Sequence, residues 1–234
     1  MKLAVILRSP YYNARLFRHH VAAGVEHEQV LSGLVCCTVV DIGANRGQFV
    51  LVARRRLPQA RVISFEPVPV AAAKFRAVFA GDPQVTLHEA AIGPVSGTAI
   101  LHVSRRDDSS SLLPITPRQV AMFPGTDEVA TADVRVAPLR EFVSAGEIEP
   151  PALLKLDVQG FELEALRGCE DLLDRFAYVY AECSYVELYE GQVLADELIA
   201  WLNERGFTLS ATHNTVRDRG GRPVQADLLF GRQQ

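Results

Sequence analysis

Three groups of residues have types and spacings that do chemistry. The first is Asp41-Ile42-Gly43-Ala44-Asn45-Arg46-Gly47, which follows the apolar run Thr38–Val40. It reads as a buried strand turning tightly into a helix. In an open α/β sheet, ligands bind at that turn, outside the carboxyl ends of the strands. Gly43 and Gly47 let the backbone turn and approach a ligand. A dinucleotide enzyme would carry a further glycine at the middle of G-x-G-x-x-G to cradle a pyrophosphate. Asn45 stands there instead, and Asp41 precedes the first glycine. An acid beside the loop suits an ammonium better than a pyrophosphate. The loop therefore points to S-adenosylmethionine, which has an amino-acid end, a sulfonium and a ribose but no phosphate. Glu66 ends the next strand, where a carboxylate accepts both ribose hydroxyls. Ala90 and Ala91, at the end of a third strand, leave room for a flat adenine.

The second group is Lys155 and Asp157, in the run Leu153–Val158. The place of this strand in the order suggests a central parallel strand, buried on both faces and apolar throughout. A spacing of two puts both charges on one face. Burying them costs several kcal/mol each unless they pair or meet a cleft. They read either as a site or as a mutual ion pair that closes the sheet end. Methyl transfer from a sulfonium asks the enzyme to position the nucleophile and help remove its proton. A carboxylate or a histidine does that. His88, His102 and His213 fall in or near strands or in an insertion and read as structural or surface residues. His19, His20 and His27 have no placing. The third group, Ser109-Ser110-Ser111, is a polar turn of donors.

These residues need a scaffold, and the rest of the chain supplies its pattern. Strands are expected at Thr38–Ile42, Arg61–Phe65, Val85–Ile92, Leu153–Val158 and Tyr178–Glu182. Helices are expected at Gln48–Arg56, Val70–Phe79, Glu162–Leu173 and Leu194–Arg205. Short β-branched strands alternating with helices argue for a mostly parallel sheet covered on both faces. Phe207–Ala211 and Ala226–Phe230 have no helix between them and read as an antiparallel pair around a turn at Asp218–Gly221. Between Gly97 and Leu139 the rhythm breaks: Thr98–Val103 and Val134–Pro138 look strand-like, with no convincing helix. That region reads as a long, functional or disordered insertion. Residues 1–35 read as an N-terminal helical extension and 36–234 as the catalytic domain.

Composition narrows the function classes. The chain has 234 residues, 48% apolar, with a formal net charge of −4. That length suits one α/β domain. The charge gives no field for a polyanion, so nucleic acid is not favoured as a partner. No stretch approaches the ~18 apolar residues of a membrane span. The Leu3–Leu7 run is short for a signal peptide, so a cytoplasmic location is expected. The four cysteines form no CxxC pair, which supports reduced thiols rather than zinc or disulfides. Two carboxylates, Asp157 and Glu182, are too few to assign a metal.

Taken together the motifs resemble the FkbM family of methyltransferases. The matching stretches are Asp41–Phe49, Ser64–Val68, Ala90–Gly93, Ser109–Leu112, Leu154–Glu162, Glu182 with Leu188–Gly191, and Asp227–Phe230. They run in order from about residue 38 to 232, and residues 1–35 lie outside them. The resemblance implies a Rossmann-like class I fold, α/β and doubly wound, with an antiparallel last strand. It implies S-adenosylmethionine as cofactor. It also implies O-methylation of a hydroxyl on a small-molecule or glycan acceptor: a sugar, glycolipid, polysaccharide or polyketide-type metabolite. By position, Asp41, Gly43, Asn45, Gly47 and Glu66 would hold the cofactor. Ser110, Ser111, Lys155, Asp157 and Glu182 would surround the reacting end. Gln159 stands where many relatives carry Glu. The rival readings are a nucleotide-dependent oxidoreductase, against which the missing middle glycine argues, and a non-catalytic cofactor-binding protein.

Overall fold

The structure, a computed structural model, describes residues 2–232. Its centre is a seven-stranded sheet of β1 (Thr38–Ile42), β2 (Arg61–Phe65), β3 (Val85–His88), β7 (Ala152–Leu156), β8 (Phe176–Ser184), β9 (Phe207–Arg217) and β10 (Pro223–Arg232). The order is β3-β2-β1-β7-β8-β10-β9. β10 runs antiparallel to both β8 and β9, and the other pairings are parallel. The doubly wound sheet with an antiparallel last strand is thus present. Strand order reverses between β1 and β7, which opens a crevice at their carboxyl ends.

β1 and β7 are buried along their whole lengths. One face of the sheet packs Val40, Ile42, Leu154 and Leu156 against α7 (Glu162–Gly168) and α8 (Ala195–Asn203). The other packs Val39, Val62 and Leu153 against α4 (Gln48–Arg56) and α5 (Pro69–Val78). The N-terminal helices α1 (Lys2–Arg8), α2 (Pro10–His19) and α3 (Glu28–Ser32) add to this second face. Their Ile6, Tyr12, Val30 and Leu31 join the same apolar cluster as Phe49 and Leu51 of α4. Tyr12 is fully buried, and its hydroxyl donates to Glu28 at 2.7 Å.

Several expected boundaries change. The strand expected over Val85–Ile92 is two: β3 stays in the main sheet, while β4 (Ala91–Ile92) leaves it to pair with β6 (Glu128–Ala137). The expected irregular insertion is ordered. β5 (Gly97–Ser104) pairs antiparallel with β6, giving a second, three-stranded sheet. A short helix, α6 (Pro117–Met122), follows Thr116, whose hydroxyl accepts the Gln119 N–H. The helix expected to reach Leu173 stops at Gly168 and continues as 3₁₀ turns over Glu170–Arg175. β7 ends at Leu156, so Asp157 lies in the crevice loop rather than in the strand. The last two strands extend beyond the expected ranges: the outer part of β9 is polar and exposed, and β10 gains the buried Val224 and partly buried flanking residues. Among the described residues, no helix is long and apolar enough to cross a membrane.

Candidate active site

Sheet register builds the polar centre. Asp41 of β1 is the direct partner of Lys155 of β7, which is in turn the partner of Tyr180 of β8. One step further, Glu182 faces Asp227 of β10, and Asp227 faces His213 of β9. Directly opposed residues share a face, so two polar rows lie side by side at the crevice. The cavity there measures about 480 Å³.

Lys155 is the hub of the first row. Its ammonium lies 2.9 Å from Asp41, 3.7 Å from Asp157 and 2.9 Å from the Gly43 carbonyl, to which it donates. Burial alone would pull its titration down, but Asp41, Asp157 and Glu182 together hold it above the ordinary lysine value. Asp41 is fully buried and does not line the cavity. The ammonium it meets is the protein's own. The pair expected between Lys155 and Asp157 exists, yet the closer partner is Asp41.

The glycine loop turns as its sequence requires. Gly43 and Gly47 have φ of 80° and 87°. A Cβ on Gly43 would lie 1.8 Å from the Asp157 carbonyl oxygen, and one on Gly47 would lie 2.4 Å from the Phe79 ring. Close approach is therefore to the protein itself at both positions, and Gly47 does not line the cavity. Asn45, also left-handed with φ of 46°, donates its N–H to Glu66 at 2.7 Å. The Val68 N–H donates to the other Glu66 oxygen at 2.7 Å. Burial pushes the Glu66 carboxyl up to about 7 despite these two amides.

Gly43, Asn45, Glu66, Ala90, Ala91, Ser110, Ser111, Lys155, Asp157 and Glu182 all line the one cavity. At its far end Gln159 bridges the carboxylates. Its amide nitrogen donates to Asp157 at 2.8 Å and to Glu182 at 2.6 Å, while its oxygen accepts from the Tyr189 hydroxyl at 2.7 Å. A glutamate at this position would have no hydrogen to offer either acid. Burial, then the nearby Asp157 and Asp227, pushes the Glu182 carboxyl well above the ordinary carboxylate value. The serine turn covers the cavity. The Ser111 hydroxyl donates to the Gln159 carbonyl at 2.6 Å, and Asp107 pairs with Arg46 of the glycine loop at 2.8 Å.

Other histidines lie elsewhere: His88 stacks on Phe65, and His102 pairs with Glu128. His27 does reach the cavity. Sequence reading gave it no placing, because nothing in its neighbourhood carries a motif. Tyr180, Asp227 and Asn214, which lie behind it, were missed as a network for the same reason. Among the described residues, no group of three or more His, Cys, Asp or Glu side chains is arranged to hold a metal ion.

A donor with a ribose, a cationic sulfonium and an adenine fits this lining. Glu66 keeps lone pairs beyond its two backbone bonds, the Ala90–Ala91 wall is small, and the far end is rich in carboxylates.

Comparison with known proteins identifies the family. The profile of the methyltransferase FkbM domain matches residues 41–209. The 2-O-methyltransferase NoeI of Sinorhizobium fredii is 30% identical over 164 residues, 66% of each chain, so the match spans slightly less than two thirds of that relative. Methyltransferase sdnD of Sordaria araneosa is 27% identical over 220 residues, covering 84% of this chain and 81% of that one. A Klebsiella pneumoniae structure assigned as an O-methyltransferase superposes with a TM-score of 0.53 at 14% identity, over 99% of this chain and 94% of the other. A Streptococcus pneumoniae protein assigned as a tRNA methyltransferase and solved with S-adenosyl-L-methionine gives 0.50 at 10% identity, over 89% and 73%. The two solved structures speak for the fold alone, whereas the domain match also sets aside the oxidoreductase alternative. The chain belongs to the methyltransferase FkbM domain family.

Proposed function

We propose that the protein moves the methyl group of S-adenosylmethionine to a hydroxyl of a sugar, glycolipid, polysaccharide or polyketide-type metabolite. The observation that carries this reading is one cavity with two chemically distinct ends. At one end Glu66, Asn45, Gly43 and the Ala90–Ala91 wall suit the ribose, amino-acid and adenine parts of the donor. At the other, Asp157, Gln159 and Glu182 suit an alcohol. When bound, the cofactor supplies an already activated methyl group, leaving the protein to align the acceptor and remove its proton. Asp157 stands at the open edge, its side chain 38% exposed, and either orients or deprotonates the acceptor hydroxyl. Glu182 accepts from the same Gln159 amide that holds Asp157 and so ties the two carboxyl groups together. Lys155 fixes the Asp41–Gly43 turn and lies 3.7 Å from Asp157. Ser110 and Ser111 close the acceptor side. Residues 1–35 act as an N-terminal extension carried by a methyltransferase domain over 36–234. The relative named a 2-O-methyltransferase supports oxygen as the accepting atom.

Binding and turnover test the reading separately. S-adenosylmethionine or S-adenosylhomocysteine at 100 times Kd should stabilise the protein by about 2.7 kcal/mol. Stabilisation by NADH with none from either methyl-donor compound would overturn the assignment. Methyl transfer to a panel of glycosides, glycolipids and macrolides then identifies the acceptor class.

A further inference from the structure

The N-terminal segment contributes a titratable ring to the cavity, although it lies outside residues 41–209, the part matched by the family profile. His27 sits in a 3₁₀ turn (Val25–His27) that follows Gly24. A Cβ on Gly24 would lie 3.0 Å from His27 Cδ2, so the glycine lets the ring lie against the backbone. Phe49 meets the ring edge-on at 5.3 Å. The side chain is 16% exposed and lines the cavity.

The hydrogen-bond network fixes the tautomer. Tyr180 has a single hydroxyl hydrogen and donates it to Asp227 Oδ2 at 2.9 Å. The same carboxylate oxygen accepts from Asn214 Nδ2 at 2.7 Å. His27 Nδ1 lies 3.0 Å from the Tyr180 oxygen. With the tyrosine hydrogen committed to Asp227, Nδ1 carries the hydrogen and donates it. The Nε2 lone pair is then bare. Burial lowers the titration of the ring below the ordinary 6.5, so the base form prevails at neutral pH.

We infer that His27 Nε2 is the proton acceptor for the acceptor hydroxyl, held in its basic tautomer by Tyr180 and Asp227. This rests on the methyl-transfer reading above. As the alcohol oxygen bonds to the methyl carbon, the sulfur–carbon bond breaks and its electron pair stays on sulfur. The hydroxyl proton passes to Nε2. The imidazolium so formed lies 3.7 Å from Asp227, which stabilises it. The charged and titratable groups that face the ring are Asp227 of β10, Tyr180 of β8, Lys155 of β7, Asp157 beyond β7 and Glu26 of its own turn. Asp157 then orients the hydroxyl, and His27 takes its proton.

Nitrogen-15 spectra of histidine-labelled protein, assigned with His27→Gln, decide the tautomer with no substrate present. The expected result is a protonated Nδ1 and a bare Nε2 that titrates below 6.5. An Nε2–H tautomer in the wild type would overturn the inference. Tyr180→Phe removes the oxygen that Nδ1 faces and should shift the ring toward the Nε2–H form. If it leaves the tautomer unchanged, the network does not set it and the inference fails.

Turnover is measured with the best glycoside of the panel. His27→Gln should lower kcat by on the order of 10²–10⁴-fold and abolish the rise of kcat with pH below neutrality. Calorimetric affinity for S-adenosylmethionine should stay within about threefold. Near-normal kcat in a folded His27→Gln, or an unchanged pH profile, removes His27 as the base. Absence of S-adenosylmethionine binding by the wild type would instead bring down the methyl-transfer reading, a different failure.

Discussion

Glu66→Gln changes one buried proton and little else, so it isolates the electrostatics of the donor end. Glu66 is 4% exposed, and its carboxyl titrates near 7 rather than 4.5, because burial outweighs the two backbone amides. At about 1.36 kcal/mol per pH unit, ionising it in the folded state costs about 3 kcal/mol relative to the unfolded chain. The folded pKa is raised, so the contribution of Glu66 to stability is full below about 4.5 and is lost as pH rises through about 7. Glutamine binds no such proton. Its amide nitrogen meets one of the two backbone donors and leaves it unpaired, a pH-independent cost of about 1–3 kcal/mol. Urea unfolding of both cofactor-free proteins from pH 4.5 to 8 should therefore give curves that converge or cross. The wild type should lose about 2–3 kcal/mol relative to the variant over that range. Glu162 and Glu182 also titrate upward, but they are common to both proteins and cancel in the difference. Parallel curves would refute the argument. At pH 8 the same variant should bind S-adenosylmethionine about 1.5–3 kcal/mol more weakly, having lost hydrogen bonds to a charged acceptor.

Three further substitutions probe the centre. Asp157→Asn should lower kcat about 10²-fold through misalignment while keeping the melting temperature, the cofactor affinity and the acid limb of the pH profile. Loss of that limb would make Asp157 the base. Lys155→Met leaves Asp41 buried and unpaired and should destabilise the protein by about 3–5 kcal/mol; an unchanged urea midpoint would show that Asp41 is neutral in the fold. Gly47→Ala combines a left-handed φ with a collision against Phe79 and should cost roughly 2–4 kcal/mol. Adding Phe79→Leu should recover only the collision, and full recovery in chemical denaturation would argue against backbone strain.

The sheet and the donor end were legible because their signals are local. An apolar strand, an acid, two glycines and a carboxylate one strand later lie within residues 38–66, and their spacing carries the geometry. Lys155 and Asp157 stood out for being charged in an apolar run. Register then explained what spacing alone left open, since Asp41 opposes Lys155 across β1 and β7. In the insertion the strand-like runs Thr98–Val103 and Val134–Pro138 match β5 and the inner half of β6, but their pairing into a second sheet was not legible, because the outer half of β6, Glu-Val-Ala-Thr-Ala, is small, polar and exposed. The break between β3 and β4 falls at Glu89–Ala90, inside a mixed run, Val-Thr-Leu-His-Glu-Ala-Ala-Ile, with no glycine or proline to mark it. His27 was invisible for another reason: its partners are set by tertiary packing, and no local pattern announces them.

That packing has a consequence for how the molecule is made. His27 and Tyr180 are 153 positions apart, and Tyr180 is completed by Asp227, near the other end of the described chain. The last strand of the described chain, β10, inserts between β8 and β9 rather than adding at the edge. His27 must therefore wait for β8 and β10 to find its polar partners, whereas Glu28 of the same segment already meets Tyr12 and Arg56. Contacts of such long sequence separation close slowly, after the loop entropy between them has been overcome. The glycine loop and Glu66, within residues 38–66, gather early, and the His27–Tyr180–Asp227 network is finished only once β10 is in place. A nascent chain arrested before β10 would carry a formed glycine loop beside an incomplete reaction centre.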